Sequence, residues 1–337
     1  MSALLTITIP TFNRGEHLDV LLESLFVQIN AFKDEVRIAV IDNHSTDDTA
    51  LRCEAWKKKG MPFEYICNAT NIGMAGNIIK CFEITDTEYS WTIGDDDVLR
   101  KGALRLILET LKRCKPDILQ IGIASISENP IASQMEIHEK VTPRVMDASS
   151  FFKLTHVWLT FISGNLIRKA THANAANTAP LTTFENTVIP QLGWILETLK
   201  SGNRFVFVPQ RLLLARRRNS GGYNPFKTFS VDIVAIVDTH LPPAESATFK
   251  VRAILKFVAP MIMSYRRDDL GDFQMMASDP ADIRQAFSKF LGYWIWIVPL
   301  MRFPMGLAVI VYQVSRLFSK SISVVDRIEI YGFKLKR

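Results

Sequence analysis

Tyr89-Ser90-Trp91-Thr92-Ile93-Gly94-Asp95-Asp96-Asp97-Val98-Leu99 joins a short apolar run to three consecutive carboxylates. The apolar part is too short for a helix and reads as a strand. A strand that ends in an acidic turn puts its carboxylates at the carboxyl edge of a sheet, where open α/β sheets bind their ligands. Carboxylates this dense repel one another unless a cation neutralises them, so the cluster reads as a divalent-metal site. The competing reading is a solvated acidic turn, with Asp97 capping a helix that starts at Lys101.

The segments on either side set the fold class. Leu4 to Pro10 (LLTITIP) alternates β-branched residues and stops at a proline, as a buried strand does. His17 to Ile29 carries apolar residues at helical spacing, and Val36 to Asn43 (VRIAVIDN) is a second strand. Asp47, Asp48 and Thr49 lead into a helix through Trp56, Phe63 to Asn68 is a third strand, and a helix around Gly76 to Phe82 precedes the fourth. Asp117 to Ala124 reads as a fifth strand. This alternation predicts an α/β fold with a doubly wound, mostly parallel sheet and right-handed crossovers.

Regularity weakens from Ser125 to Ser150. Phe151 to Ala170 reads as a helix and then a strand (ISGNLIR), Thr187 to Lys200 as a helix ended by Gly202, and Arg204 to Pro209 as a strand. Leu212 to Ala215 runs into Arg216-Arg217-Arg218-Asn219-Ser220-Gly221-Gly222, and from Tyr223 the pattern is helical to about Ser319. We expect three regions: a ligand-binding part over 1–125, a second half of the same domain over 126–225, and a helical extension over 226–337.

Charge is divided along these lines. Of 40 basic and 34 acidic residues, positions 1–125 hold 14 and 18, 126–225 hold 11 and 6, and 226–337 hold 15 and 10. An acidic N-terminal part argues against non-specific nucleic-acid binding, and a basic, apolar C-terminal part suits an anionic membrane surface. Leu291 to Phe318 is apolar, but Pro299, Arg302 and Pro304 interrupt it. A charge at the centre of a spanning helix costs roughly 2.5 kcal/mol or more. Trp294, Trp296, Tyr312, Arg316 and Lys320 suit helices lying at a membrane surface, and a helical hairpin packed on the enzyme is the alternative. Cys53, Cys67, Cys81 and Cys114 form no C-x-x-C pair and read as reduced core residues. Met1 to Pro10 lacks the basic opening of a signal peptide.

Four polar segments fall at successive strand ends: Pro10-Thr11-Phe12-Asn13-Arg14, Asp42-Asn43-His44-Ser45-Thr46-Asp47, Asn71-Ile72-Gly73 with Asn77, and Gly94-Asp95-Asp96-Asp97. In this order and spacing they resemble the family 2 glycosyltransferases, closely over about the first 120 residues and loosely beyond. The resemblance implies a GT-A nucleotide-diphospho-sugar fold with a C-terminal helical extension. It also implies an inverting sugar transferase whose Asp42 accepts a hydrogen bond from the donor's base; otherwise Asp42 caps the next turn. Thr11, Asn13 and Arg14 would close over base and ribose, although Arg14 also reads as a surface charge. Asn71 and Gly73 would touch the nucleotide or only shape their loop.

The family's Asp-x-Asp begins here with Gly94, which aligns Asp95 with the ribose and Asp96 with the metal, Asp97 beside it. Mg²⁺ or Mn²⁺ is the cofactor this implies. The family often places a Glu-Asp pair about ten residues before the glycine matched by Gly202, but Pro190-Gln191 stands there. Glu185 is the candidate general base, with Asp147 and His156 behind it; a helix-end charge is the bland alternative. Arg216, Arg217 and Arg218 read as a mobile loop that clamps a diphosphate or, alternatively, meets lipid phosphates. The implied partners are a nucleotide-diphospho-sugar donor and a polyprenyl-diphosphate-linked glycan acceptor, at the cytoplasmic face of a bacterial inner membrane, in O-antigen or capsule-type polysaccharide assembly. The rivals are an inactive membrane-bound scaffold on the same fold and a sugar-phosphate nucleotidyltransferase. The latter lacks support because Pro10 to Arg14 contains no glycine.

Overall fold

The computed structural model describes residues 3–126, 135–137, 140, 142–173, 181, 185–216, 224–267 and 281–332, with the backbone alone at 225 and 323–332. They form two compact units: 1–148 with 159–186 and 190–217, and 149–158 with 187–189 and 218–337.

The first unit is built on a nine-stranded sheet. Its strands are β1 (Leu5–Thr11), β2 (Val36–Asp42), β3 (Glu64–Cys67), β4 (Tyr89–Thr92), β5 (Val98–Leu99), β6 (Ile118–Ile126), β7 (Arg144–Met146), β8 (Asn165–Arg168) and β9 (Phe205–Arg216). The spatial order is β3-β2-β1-β4-β8-β6-β9-β5, with β7 also paired to β9. The pairs β1–β2, β1–β4, β2–β3 and β6–β9 are parallel. β8 is antiparallel to β4 and β6, and β5 and β7 are antiparallel to β9. The four-strand parallel half is therefore as the sequence predicts, whereas its neighbour is mixed.

The connecting helices α1 (Gly15–Ile29), α2 (Thr49–Lys58), α3 (Gly73–Glu83) and α4 (Ala103–Cys114) follow from apolar residues at helical spacing. Leu18, Leu21, Leu22, Leu25 and Ile29 of α1 are all fully buried, as are Leu104, Ile107 and Leu111 of α4. They pack with Leu5, Ile7, Ile9, Tyr89 and Trp91 in one core. The intervening threonines of β1 are buried too. They meet β4 and the turn before it through hydroxyl pairs, Thr6 with Thr87 (2.8 Å) and Thr8 with Thr92 (3.0 Å), so each polar group has a partner.

Three boundaries differ from the sequence reading. The helix expected from Thr187 starts at Gln191, because Pro190 takes the position before its first turn. The strand expected over Arg204–Pro209 runs on to Arg216, with its register against β6 shifting on either side of Gly122. A Cβ at Gly122 would lie 2.5 Å from the carbonyl oxygens of both Pro209 and Gln210, so only glycine fits the bulge. Of the four free cysteines, Cys67 is exposed at the edge strand β3 rather than in the core.

The second unit is helical, with Ile233–His240, Pro243–Ala253, Ala259–Arg266, Ala281–Phe287, Val298–Arg302 and Met305–Gly332 as its main helices. Ile254, Val258, Phe287, Ile297, Leu300 and Ala308 form its core. The chain turns at Phe303-Pro304, where Arg266 donates to the carbonyls of Leu300 and Phe303. Among the described residues no helix is long and apolar enough to cross a membrane.

Candidate active site

The parallel register fixes the site. Thr11 pairs with Asp42, Asp42 with Cys67, and Thr8 with Thr92, so the loops after β1, β2, β3 and β4 leave one edge of the sheet. The four motifs meet there.

The first two loops are stitched to each other. Asn13, in the left-handed region (φ 52°), takes Thr46 N–H on its Oδ1 (2.7 Å) and donates its own N–H to Ser45 Oγ (2.8 Å). Asp47 Oδ2 accepts the Gly15 N–H (3.2 Å). Asp42 is buried and accepts three hydrogen bonds, from the amide and hydroxyl of Ser45 (2.9 and 2.6 Å) and from the Tyr65 hydroxyl. It therefore caps its own turn, and a carboxylate has room for about one further donor. Burial and the Asp42 charge push the Tyr65 phenol up, so it stays a donor to Asp42.

The third loop rests on a run of asparagines. Asn43 Nδ2 donates to Asn71 Oδ1 (2.8 Å), Asn68 Nδ2 to Asn43 Oδ1 (3.0 Å) and Asn77 Oδ1 (2.9 Å), and Asn77 Nδ2 to the Ile41 carbonyl (2.9 Å). Gly73 sits at φ +79°, which a glycine adopts without strain. Asn71 and Gly73 thus build their loop.

The acidic cluster is buried at Asp95 and Asp97 and partly open at Asp96. Asp95 accepts the Thr11 hydroxyl on Oδ2 (2.8 Å). Its Oδ1 lies 3.2 Å from Arg14 Nε, and Arg14 Nη2 lies 3.1 Å from Asp96 Oδ2. Arg14 thus spans two carboxylates. Burial, opposed by Arg14 and reinforced by Asp96, pushes the Asp95 carboxyl up to about 7. Burial and then the Asp96 charge raise Asp97 well above the usual carboxylate range. Burial is the main cause of both shifts, and the three adjacent carboxylates have the single guanidinium of Arg14 among them.

A Cβ at Gly94 would stand 3.0 Å from Asp96 Oδ1, so a side chain there would crowd Asp96, and a carboxylate would add a fourth negative charge to the cluster. That is a physical reason for glycine at the first place of the motif. Ser163 is the residue the sequence reading missed. Its Oγ accepts the Gly94 N–H (2.8 Å) and its hydroxyl bonds Asp97. Nothing local marks a serine 66 positions downstream of Asp97 as its partner; only the pairing of β8 with β4 brings it there.

Among the described residues no three acidic, histidine or cysteine side chains converge as a closed ligand set. Oxygen donors with excess charge nevertheless fit a hard cation. Magnesium-type sites in phosphate chemistry take one or two carboxylates from the protein and the rest from substrate and water. Asp96 and Asp97 fit that pattern.

The remaining candidates lie apart from the cluster's bonds. Glu185 stands exposed in a turn ahead of the helix Gln191–Ser201, not on it. Asp147 is exposed between β7 and the next helix. His156 belongs to the second unit, where burial, then Arg252 and Lys256, push it down to about 2. Arg216 ends β9, and together with Arg14 it lowers the pKa of His17 on α1, after burial as the main cause. Arg217 and Arg218 lie outside the described residues.

Residues 6–170 match the model of glycosyl transferase family 2. A stretch of 116 residues is 34% identical to abequosyltransferase RfbV of Salmonella typhimurium, covering 34% of each chain. Another of 105 residues is 26% identical to an uncharacterized glycosyltransferase of Mycoplasma pneumoniae, covering 31% of this chain and 35% of that one. Each match spans about a third of the relative's length. Among solved structures, S. aureus TarS 1–349 in complex with UDP-GlcNAc superposes with a TM-score of 0.56 at 16% identity, over 94% of this chain and 92% of that one. The mannosyltransferase PcManGT of Pyrobaculum calidifontis, in complex with GDP-Man and Mn²⁺, does so at 0.51 and 11%, over 95% and 88%. These structures share the GT-A fold seen here. Sheet order, strand-end motifs and sequence match agree: residues 6–170 form a glycosyl transferase family 2 domain.

Proposed function

We propose that the protein transfers a sugar, with inversion, from a nucleotide-diphospho-sugar to a polyprenyl-diphosphate-linked glycan in cell-surface polysaccharide assembly. The observation that carries the reading is the joining of Thr11, Arg14 and the Asp95–Asp97 cluster at the edge where Asp42 lies. Asp42, with its remaining lone pair, meets the base, and Asn13, Asn71 and Gly73 shape the walls around the nucleoside. Asp95 faces the ribose. Asp96 and Asp97 would hold Mg²⁺ or Mn²⁺, which supplies Lewis-acid stabilisation of the leaving nucleotide's charge. Arg216, at the end of β9, would meet the diphosphate, and Arg217 is assigned the same role from the sequence alone. The acceptor hydroxyl oxygen bonds to the anomeric carbon as the bond to the diphosphate oxygen breaks, and a base takes the hydroxyl proton. Glu185, exposed in its turn, is our choice for that base.

Thermal shift of the full chain against UDP, dTDP, GDP and CDP, each with and without Mn²⁺, tests the donor class. Stabilisation by one diphosphate that needs the metal supports the reading and names the base. Silence towards all four removes it and leaves the scaffold.

The acceptor side rests on the second unit. Leu307, Ile310, Val314 and Leu317 are 52%, 60%, 48% and 63% exposed at helical spacing. Leu291 and Trp294 are exposed as well, and Trp296 packs on Phe318. From 283 to 325 there are five basic residues (Arg284, Lys289, Arg302, Arg316, Lys320) and no acidic one. Such a surface lies on anionic lipid, at the cytoplasmic face of the inner membrane in this reading. Co-sedimentation with vesicles containing phosphatidylglycerol, lost on Ile310→Glu with Leu317→Glu, is the expected result. Equal recovery of variant and parent in the pellet removes this placement.

A further inference from the structure

We propose that Arg14 is the built-in counter-ion of the acidic cluster, occupying Asp95 and Asp96 until a donor diphosphate draws it away, so that the divalent cation binds with the nucleotide and not before it. This rests on the transferase reading above and adds an order of binding to it.

The argument starts from which oxygens Arg14 covers. Its Nε and Nη2 face Asp95 Oδ1 and Asp96 Oδ2, at 3.2 and 3.1 Å. Asp95 cannot turn those oxygens elsewhere without losing the Thr11 hydroxyl on Oδ2. A cation held by Asp96 and Asp97 therefore shares the Asp96 carboxylate with the guanidinium, which already faces its Oδ2. The two positive charges would then stand on one carboxylate, and their repulsion weakens the hold on the divalent cation for as long as Arg14 stays.

The pairing is also of a kind that exchanges readily. Although both distances are those of an ion pair, neither Nε nor Nη2 makes a hydrogen bond. The contact is charge against charge, without the two aligned N–H···O bonds of a bidentate arginine–carboxylate fork. A phosphate offers that alignment with more charge. The space it would enter is bordered by further positive charge. Val20 packs with Val98, Ile126 and Leu214. His17 precedes Val20 by one helical turn, and Arg216 follows Leu214 on the same face of β9. The influence of Arg14, Arg216 and Asp96 on His17 agrees with this neighbourhood. A diphosphate arriving beside Asp96 thus meets Arg14 on one side and Arg216 on another, and Arg14 exchanges a poorly aligned partner for a well-aligned one.

Mn²⁺ binding to the full chain, read by the electron paramagnetic resonance of free Mn²⁺, tests this directly. Without nucleotide, Arg14→Gln is expected to bind Mn²⁺ about tenfold or more tightly than the parent, as removal of one nearby positive charge implies. Adding Asp96→Asn to Arg14→Gln should abolish that binding. Unchanged or weaker nucleotide-free affinity in Arg14→Gln, with a parent-like circular dichroism spectrum, overturns the proposal. So does tight binding that survives Asp96→Asn. Arg14→Lys, which keeps the charge, is expected to exclude Mn²⁺ as the parent does, and tight binding by it also counts against the counter-ion role. These arms contain no nucleotide, so their outcome is separate from the donor reading, which fails only if no nucleoside diphosphate binds the parent.

Discussion

At the scale of single residues, the site separates groups that hold the frame from groups left to act. Asp42, Asn43, Asn68 and Asn77 are buried and spend most of their hydrogen bonds on the protein, whereas Asp96 is partly open and Glu185 is exposed. Asp96→Asn should lower transfer by about a hundredfold or more while leaving the thermal midpoint near that of the parent, since no core contact is lost. Glu185→Gln should lower turnover by a similar order with donor affinity retained. Initial-rate kinetics with a titrated donor separate the two, and full turnover in the glutamine variant would transfer the base role elsewhere. His156 gives a stability prediction with a definite sign. Its folded pKa of about 2 lies below the unfolded value of 6.5, so the unfolded chain takes up the proton first as pH falls. The stability held above pH 6.5 is lost progressively below it, by about 2 kcal/mol at pH 5 from this group alone. His156 has φ 33°, a conformation asparagine tolerates, so His156→Asn should flatten the loss measured by urea unfolding between pH 7 and pH 5.

At the scale of elements, the parallel half was legible because each strand is a short apolar run closed by a polar cluster. β1, β2 and β4 announce themselves in LLTITIP, VRIAVIDN and YSWTI, and the parallel register then delivers the motifs to one edge. The mixed half was less legible for identifiable reasons. β5 is two residues long, too short for any period to show. β9 passes through Pro209, which on local rules ends a strand, and continues only because the bulge opposite Gly122 takes up the irregularity. Gly122→Ala should therefore cost about 1–3 kcal/mol in chemical denaturation, an amount usual for overpacking at a closed backbone contact. The residue roles show the same divide. Asp95–Asp97 could be read because adjacent carboxylates carry their own electrostatic problem. Arg14 could be listed but not aimed, since its target lies 81 positions away and nothing in PTFNR tells a base from a carboxylate. Ser163 gave no signal.

At the scale of the whole molecule, the family match and the folded unit have different limits. The match stops at residue 170, yet β6 lies between β8 and β9, and β9 begins at Phe205. A chain ended after residue 170 should fail to form a soluble folded domain, because β6 would present an open edge and Leu119 and Ile121 would lose Val206 and Val208. Size-exclusion chromatography of that fragment beside the full chain would decide it, and a monodisperse, cooperatively melting fragment would contradict the dependence.

The same pairing imposes a wait. Val98 meets Leu214, a partner synthesised 116 residues later. At roughly 5 to 20 residues per second, the nascent chain carries its acidic cluster and the unpaired β5 for about 6 to 20 seconds before β9 emerges. During that interval β6 and β8 join the parallel half in turn, but β5 has no strand to pair with. Expression yield should accordingly respond to conditions that shield exposed strands on the ribosome, such as slower growth temperature or added chaperone, more than to changes at the donor site.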